Sequence, residues 1–290
     1  MLTRRRACCG TMEGHMDDTE ESNGGRGEDN EFIQSLAKGL AVIEAFGEND
    51  PSMTLSEVAR KTNLTPGSAR RVLRTLQQLG YATADASRFR LMPRVLQLGF
   101  SYLSSLPFAS LAQPSLNELT EKVDGSCSIS VLDGTDVVYV ARATSRRLNR
   151  DYMSVGTRYP AHSTSPGKLL LSAYSDRDII ARYKGRTLEA MTPRTIDSVE
   201  RLLSELVEVR KQGWATNDQE TMMGHRSVAV PLRSGGQTFA ALGVGCDVGS
   251  VSMDTMLNDY LPKLNRAAAA IERLMSIHEQ SSKSAPYGRL

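Results

Sequence analysis

From Leu64 to Tyr81 the apolar residues Ala69, Val72, Leu73, Leu76 and Leu79 recur at steps of three and four. On a helix they fall within an arc of roughly 120°, leaving Gly67, Arg70, Arg71, Arg74 and Gln78 on the other side. Thr65 and Pro66 suit an N-cap and a first helical residue, because the threonine oxygen can accept a free amide and proline lacks a donor that would go unused there. Gly80 supplies a stop, since it adopts a left-handed backbone without steric penalty. Upstream, Leu36, Leu40, Val42, Ile43 and Phe46 show helical spacing in "SLAKGLAVIEAF". "TLSEVARKTNL" predicts a short helix in which Thr54 and Glu57 form a capping box. Asn63 and Leu64 make the tight turn between the two later helices, the spacing of a helix-turn-helix. After Gly80, "YATADASRFRLM" alternates about a polar Asp85-Ala86-Ser87 tip and predicts a small hairpin, so the order is that of a winged helix.

Beyond residue 93 the pattern changes. Helical segments continue through "PRVLQLGFSYLSSLPFASLAQPSLNELTEKV", with breaks expected at Pro107 and Pro114. Arg94 to Ser105 reads as a linker helix, and Pro114 to Val123 as the first helix of a second domain. "SCSISVL" and "DVVYVARA" alternate about Asp133-Gly134-Thr135, a hairpin signal. Further strands are expected at "HRSVAVPL" and "TFAALGVGC", and helices over Ser165 to Tyr174, Asp176 to Tyr183 and Ser198 to Gln212. In the last long helix Met256, Leu257, Tyr260, Leu261, Leu264, Ala268, Ile271 and Met275 mark the face that packs back on its domain, with a subunit contact as the other use. The fold class is α+β: residues 1–31 as a disordered acidic leader, 32–93 as a winged helix-turn-helix, 94–107 as a linker helix, 108–278 as an effector domain around an antiparallel sheet, and 279–290 as a loose tail.

Charge sharpens the picture. Net charge over the 290 residues is only +2. Yet between Asp17 and Glu31 seven acids (Asp17, Asp18, Glu20, Glu21, Glu28, Asp29, Glu31) face the single Arg26, with almost nothing apolar to offset the entropy of ordering. From Thr54 to Arg94 eight basic residues face two acids. A helix in a major groove would present Thr65, Ser68, Arg70, Arg71 and Arg74 to double-stranded DNA, with Arg88 and Arg90 of the wing near phosphates. The alternative is a solvated, arginine-decorated surface helix; cap, turn length, wing and charge segregation together favour the DNA reader.

Several chemistries lack their signature. No apolar run nears the ~18 residues of a membrane span, and no secretory signal is evident, so a cytoplasmic, nucleoid-associated protein without membrane partners is expected. Cys8, Cys9, Cys127 and Cys246 lack metal-finger spacing and read as free thiols. Ser165-Pro166-Gly167-Lys168 fits S-x-x-K, but neither S-D-N nor K-T-G follows. There is no phosphate-binding G-x-x-x-x-G-K-[ST] loop. His162 and His225, with Asp218 or Cys246, lack the short ligand spacings of zinc sites and are expected to make ordinary hydrogen bonds. No catalytic residue, metal or cofactor is assigned. A ligand-processing enzyme that uses its winged helix for protein contacts stays as the alternative.

The winged helix followed by "VGTRYPAHSTSPGKLLLSAY", "TPRT", "VRKQGWATNDQE" and "GHRSVAVPL" resembles the IclR-type bacterial transcriptional regulators over about Phe32 to Met275. "YVARATSRR", "MSVGTRYPAHSTSPGK" and "GWATNDQE" look most like the branch controlling catabolism of aromatic acids such as protocatechuate and 4-hydroxybenzoate. The resemblance implies a GAF-like effector domain that binds a small acid, pairing into dimers or dimers of dimers, and contact with RNA polymerase. It places Ser165, Pro166, Asn217, Ser227, Gly243 and Gly245 at the effector pocket. Members that bind very small acids often have Asp, Cys and Ser where this chain has Asn217, Ser227 and the two glycines, which points to a larger, flatter ligand. For its carboxylate the sequence offers Arg147, Arg158 and Arg226, aided by amides at the start of the Ser165 helix. Arg147 has solvation as its other reading, and Arg158 and Arg226 have ion pairs with Asp218 or Glu220. Tyr152 and Met153 are candidates for stacking on a ring or for core packing.

Overall fold

The computed structural model describes residues 32–145 and 153–284. The acidic leader, Arg147 and Tyr152 lie outside these residues. The chain divides into two compact units, Met1–Val95 and Leu96–Leu290.

In the first unit, α1 (Gln34–Glu44), α2 (Leu55–Lys61) and α3 (Pro66–Gln78) enclose a core of Val42, Val58, Ala69, Leu73 and Leu76. The ends of α2 and α3 follow local chemistry. Thr54 and Glu57 form the reciprocal capping box, and Thr65 Oγ1 accepts the Ser68 amide at 3.2 Å. Asn63, at φ +53°, makes the turn, and Gly80, at φ +76°, ends the last helix where a side chain would be strained. The wing is β2 (Ala82–Asp85) and β3 (Arg88–Leu91), and β3 also pairs with the two-residue β1 (Met53–Thr54).

The second unit opens with α4 (Leu96–Ser104) and α5 (Pro107–Lys122). Pro114 does not break the helix as expected but lies inside α5. It is exposed, as is Ser110, whose carbonyl loses its amide partner on the side of the helix that faces solvent. Meanwhile Phe108, Ala112, Leu116 and Leu119 bury the opposite face. Six strands follow: β4 (Ser126–Asp133), β5 (Asp136–Thr144), β6 (Arg158–Pro160), β7 (Ala215–Asp218), β8 (His225–Ser234) and β9 (Gln237–Asp247). They form one antiparallel sheet in the order β6-β5-β4-β9-β8-β7.

One sheet face, with Cys127, Ile129, Val228, Val230, Leu242 and Val244, packs on α5 and on α10 (Leu261–Ser284). α10 follows a short turn, α9 (Met253–Thr255), and a π segment, and it continues past residue 279, where a loose tail was expected. Leu264, Ala268 and Ile271 are buried in this layer, the internal use expected of that face. The other sheet face is covered by α6 (Ser165–Leu171), α7 (Asp176–Tyr183) and α8 (Val199–Gln212).

Gly167 marks where α6 is pressed against the preceding turn. A Cβ there would stand 2.1 Å from the Ala161 carbonyl oxygen, a backbone atom with no rotamer to yield. Gly167→Ala is therefore expected to destabilise the protein by about 3 kcal/mol, read as a lowered urea midpoint at unchanged slope.

Candidate functional site

On the first unit, Arg70, Arg71 and Arg74 project from the exposed side of α3 and join no ion pair among the described residues. Ser68 is half-buried, and the Thr65 hydroxyl oxygen already caps the helix. The two wing arginines differ. Arg90 is exposed, whereas Arg88 donates from Nη2 to the Ser52 carbonyl at 2.6 Å and from Nε to Ser52 Oγ at 3.1 Å, and pairs with Glu57 at 3.4 Å. Arg88 thus ties the wing to the capping box, a structural duty that the sequence reading did not give it. Arg94 donates to the Leu79 carbonyl at 2.7 Å and lies over the Tyr81 ring, bracing the end of α3.

On the second unit, strand register gathers most of the expected effector residues. Ser126, Gly245, Ser227 and Asn217 are directly paired across β4, β9, β8 and β7. The next row is Arg142, Ser128, Gly243 and Ala229, on β5, β4, β9 and β8. Ser165 at the start of α6 closes over this face, its hydroxyl 2.6 Å from that of Ser227, with both residues buried. Two hydroxyls that share one hydrogen leave the second hydrogen for another acceptor. Gly245 lets the His225 ring lie against the strand, since a Cβ there would be 2.6 Å from Nε2.

The arginine at this face is Arg142, which the sequence reading passed over. Its Nε and Nη2 donate to Ser126 Oγ at 2.9 and 2.5 Å, and Nη1 donates to the Met153 carbonyl. Arg158 is instead held by Asp133 at 2.7 Å and Asp136 at 3.1 Å beside the β4–β5 turn, not by Asp218 or Glu220. Arg226 pairs with Asp218 at 3.0 Å and donates to the Val251 carbonyl, the structural role left open for it. Met153 is half-buried against the α6–α8 core. Asn217 spends its amide hydrogens on the Ser163 carbonyl and Thr221 Oγ1 and accepts from the Glu220 amide, so it holds the turn after β7. Pro166 is buried at the first turn of α6, a helix of only seven residues whose Gly167 amide is taken by Thr164 Oγ1. That short, capped end gives little support to the expected anion-binding dipole.

The S-x-x-K pattern separates in space. Lys168 is buried and binds Glu220 at 2.7 Å and Glu205 at 3.1 Å, while Ser165 turns to Ser227. Burial pushes the Glu220 carboxyl up against the pull of Lys168. Among the described residues no group of three His, Cys, Asp or Glu is placed to hold a metal.

Burial also lowers the pKa values of His162 and His225, the latter with help from the Arg142 charge. Folding thus favours the neutral form of both, whereas the unfolded imidazoles take protons near 6.5. Their contribution to stability is therefore full above about pH 6.5 and is lost as pH falls toward the lower folded values. Glu220 works in the opposite sense, since its folded carboxyl gains a proton first. Urea unfolding between pH 8 and 5 should show the histidine loss, flattened in a His162→Gln/His225→Gln variant.

Residues 35–86 match the family described as the IclR helix-turn-helix domain, and residues 100–273 match the C-terminal domain of the bacterial transcriptional regulator IclR. The chain is 42% identical over 243 residues to the Pca regulon regulatory protein of Pseudomonas putida, covering 83% of each. It is 36% identical over 252 residues to the p-hydroxybenzoate hydroxylase transcriptional activator of Acinetobacter baylyi, covering 84% of this chain and 93% of the relative. A solved structure from Rhodococcus sp. RHA1 superposes with a TM-score of 0.73 at 42% identity, over 85% of this chain and 99% of that one. Both domain matches fall in the order in which the two units are built, and the relatives are named as regulators, which sets the enzyme alternative aside. The chain belongs to the IclR family of DNA-binding bacterial transcriptional regulators, winged helix first and effector domain second.

Proposed function

We propose that this regulator responds to an aromatic carboxylate of the hydroxybenzoate class, bound on the polar face of the six-stranded sheet. The observation that carries this reading is the Arg142 guanidinium held on Ser126 beside a row floored by glycine. A guanidinium has five N–H donors, so Arg142 can face a carboxylate while keeping its ties to Ser126 and Met153. Ser126 and Ser227 are two strand spacings apart, roughly 10 Å, with Gly245 between them and the His225 ring lying against that glycine. A single ring matches that span in length and would lie beside the His225 imidazole, with its carboxylate toward Arg142 and Ser126 and a hydroxyl toward the Ser165–Ser227 pair. The names of the two relatives, one for a pca regulon and one for p-hydroxybenzoate hydroxylase, support the same ligand class.

The protein works as a homodimer or a dimer of dimers that sets two copies of α3 in successive major grooves of an operator in the cytoplasm, with RNA polymerase as a further partner. Leu96 and Phe100 on α4 are 74% and 69% exposed in the single chain, apolar surface that a second copy would cover. No single described helix is long and apolar enough to cross a membrane.

Titration calorimetry against 4-hydroxybenzoate, protocatechuate, benzoate, pyruvate and glyoxylate tests the ligand class. Saturable binding of a hydroxylated ring acid is expected, with benzoate weaker. Binding of only the two aliphatic acids would overturn the assignment.

A further inference from the structure

Between α1 and α3 lies a groove of about 780 Å³, lined by Leu36, Lys38, Ser68, Arg71, Val72 and Thr75 among others, with no acidic side chain among the described residues that line it. Its α3 wall carries Ser68 and Arg71, the side of the helix assigned to DNA. Its α1 wall begins at Gln34, three positions after Glu31. In the sequence, seven carboxylates and one arginine fall within the fifteen residues Asp17 to Glu31 that precede this wall, and the charged residues described in the groove, Lys38 and Arg71, are positive.

We propose that the acidic run 17–31 occupies this groove and competes with operator DNA for Arg71 and its neighbours, acting as a built-in brake on DNA binding. The proposal rests on α3 being the DNA-reading helix. Reach is ample: fifteen residues span up to roughly 50 Å, against roughly 20 Å for the thirteen residues of α3. Tethering supplies an effective concentration in the millimolar range, so a contact too weak to hold in trans competes in cis. The run has no apolar side chain to seal against Leu36, so it is held by charge, is weakened by salt, and yields to a phosphate backbone of higher charge density. Displacing it returns counterions to the carboxylates, and the salt dependence of operator binding becomes shallower than the arginines alone would give.

The test uses the full chain in four forms: the acidic run as it stands, or with its seven acids replaced by Asn and Gln, each with and without Lys38→Gln. Operator affinity is measured at about 50 and about 300 mM salt, together with oligomeric state. Neutralising the run should tighten binding about 10-fold at the lower salt, with the gap closing at the higher. Lys38→Gln then separates docking from simple repulsion between leader and DNA. With the acidic run present it should tighten binding by loosening the brake, and with the neutral run it should leave binding unchanged or weaken it. The proposal is overturned if neutralisation leaves affinity unchanged, or if Lys38→Gln weakens binding equally with either leader. A Lys38→Gln effect on oligomeric state alone would assign the groove to a second copy and overturn it as well. Absence of operator binding in all four forms would instead indict the DNA-reading assignment of α3.

Discussion

Replacing Arg70, Arg71 and Arg74 together by alanine is expected to lower operator affinity by roughly 10³-fold, at about 1 to 3 kcal/mol for each lost contact. The dependence of log affinity on log salt should flatten by up to about 2.7, at about 0.9 for each phosphate contact removed. The fold should survive, because all three side chains are exposed and alanine is the best helix former. Circular dichroism and effector calorimetry on the triple variant check this. Arg88→Ala makes a useful contrast. Its guanidinium is engaged by Ser52 and Glu57, so its loss should loosen the wing and lower the unfolding midpoint more than it changes the salt slope. A triple variant that binds operator with unchanged salt dependence would remove α3 from the interface.

Arg142→Gln is expected to weaken effector binding by about 10- to 100-fold, the range for a hydrogen bond to a charged partner. Its operator affinity without effector should match that of the unaltered protein. Ser227→Ala offers a finer reading of the same seat. It removes one member of the hydroxyl pair, so binding of 4-hydroxybenzoate should fall while benzoate, with no hydroxyl to receive, changes little. Arg158→Gln should leave both ligands untouched, since Arg158 is committed to Asp133 and Asp136. Equal loss with Arg158→Gln and Arg142→Gln would point to a disturbed sheet rather than a lost anchor, and a full response in Arg142→Gln would move the carboxylate elsewhere.

The elements legible in the sequence were those with local causes. Thr54 with Glu57, Thr65 with Pro66, and Gly80 define helix ends through atoms a few residues apart, and each acts as its neighbours imply. Pro114 misled because its effect depends on which face of α5 meets water, and that is settled by packing against a sheet far along the chain. The ligand seat was only half legible for the same reason. Ser165, Ser227, Gly243 and Gly245 came from family resemblance, whereas Arg142 joins them through pairing of β4 with β5 and β9, a long-range register. A local signal was nevertheless present. Ser126, Ser128 and Ser130 alternate with Cys127, Ile129 and Val131, a polar stripe in a strand covered on both faces, and Arg142 interrupts an apolar run. Ser130 lies fully buried, and its hydroxyl has no hydrogen-bond partner among the described residues. The Lys168–Glu205–Glu220 cluster, drawn from three separated segments, had no comparable local mark.

The most direct measurement is fluorescence anisotropy of DNA from immediately upstream of the gene, titrated with the full-length protein with and without 4-hydroxybenzoate, protocatechuate, pyruvate or glyoxylate. Effector binding changes the outcome only through a difference in affinity between two arrangements of the protein. Salt-sensitive, sequence-selective binding whose midpoint shifts with a hydroxylated aromatic acid, and not with the aliphatic acids, is the predicted result. Selective binding that shifts with pyruvate or glyoxylate and ignores the ring acids would contradict it.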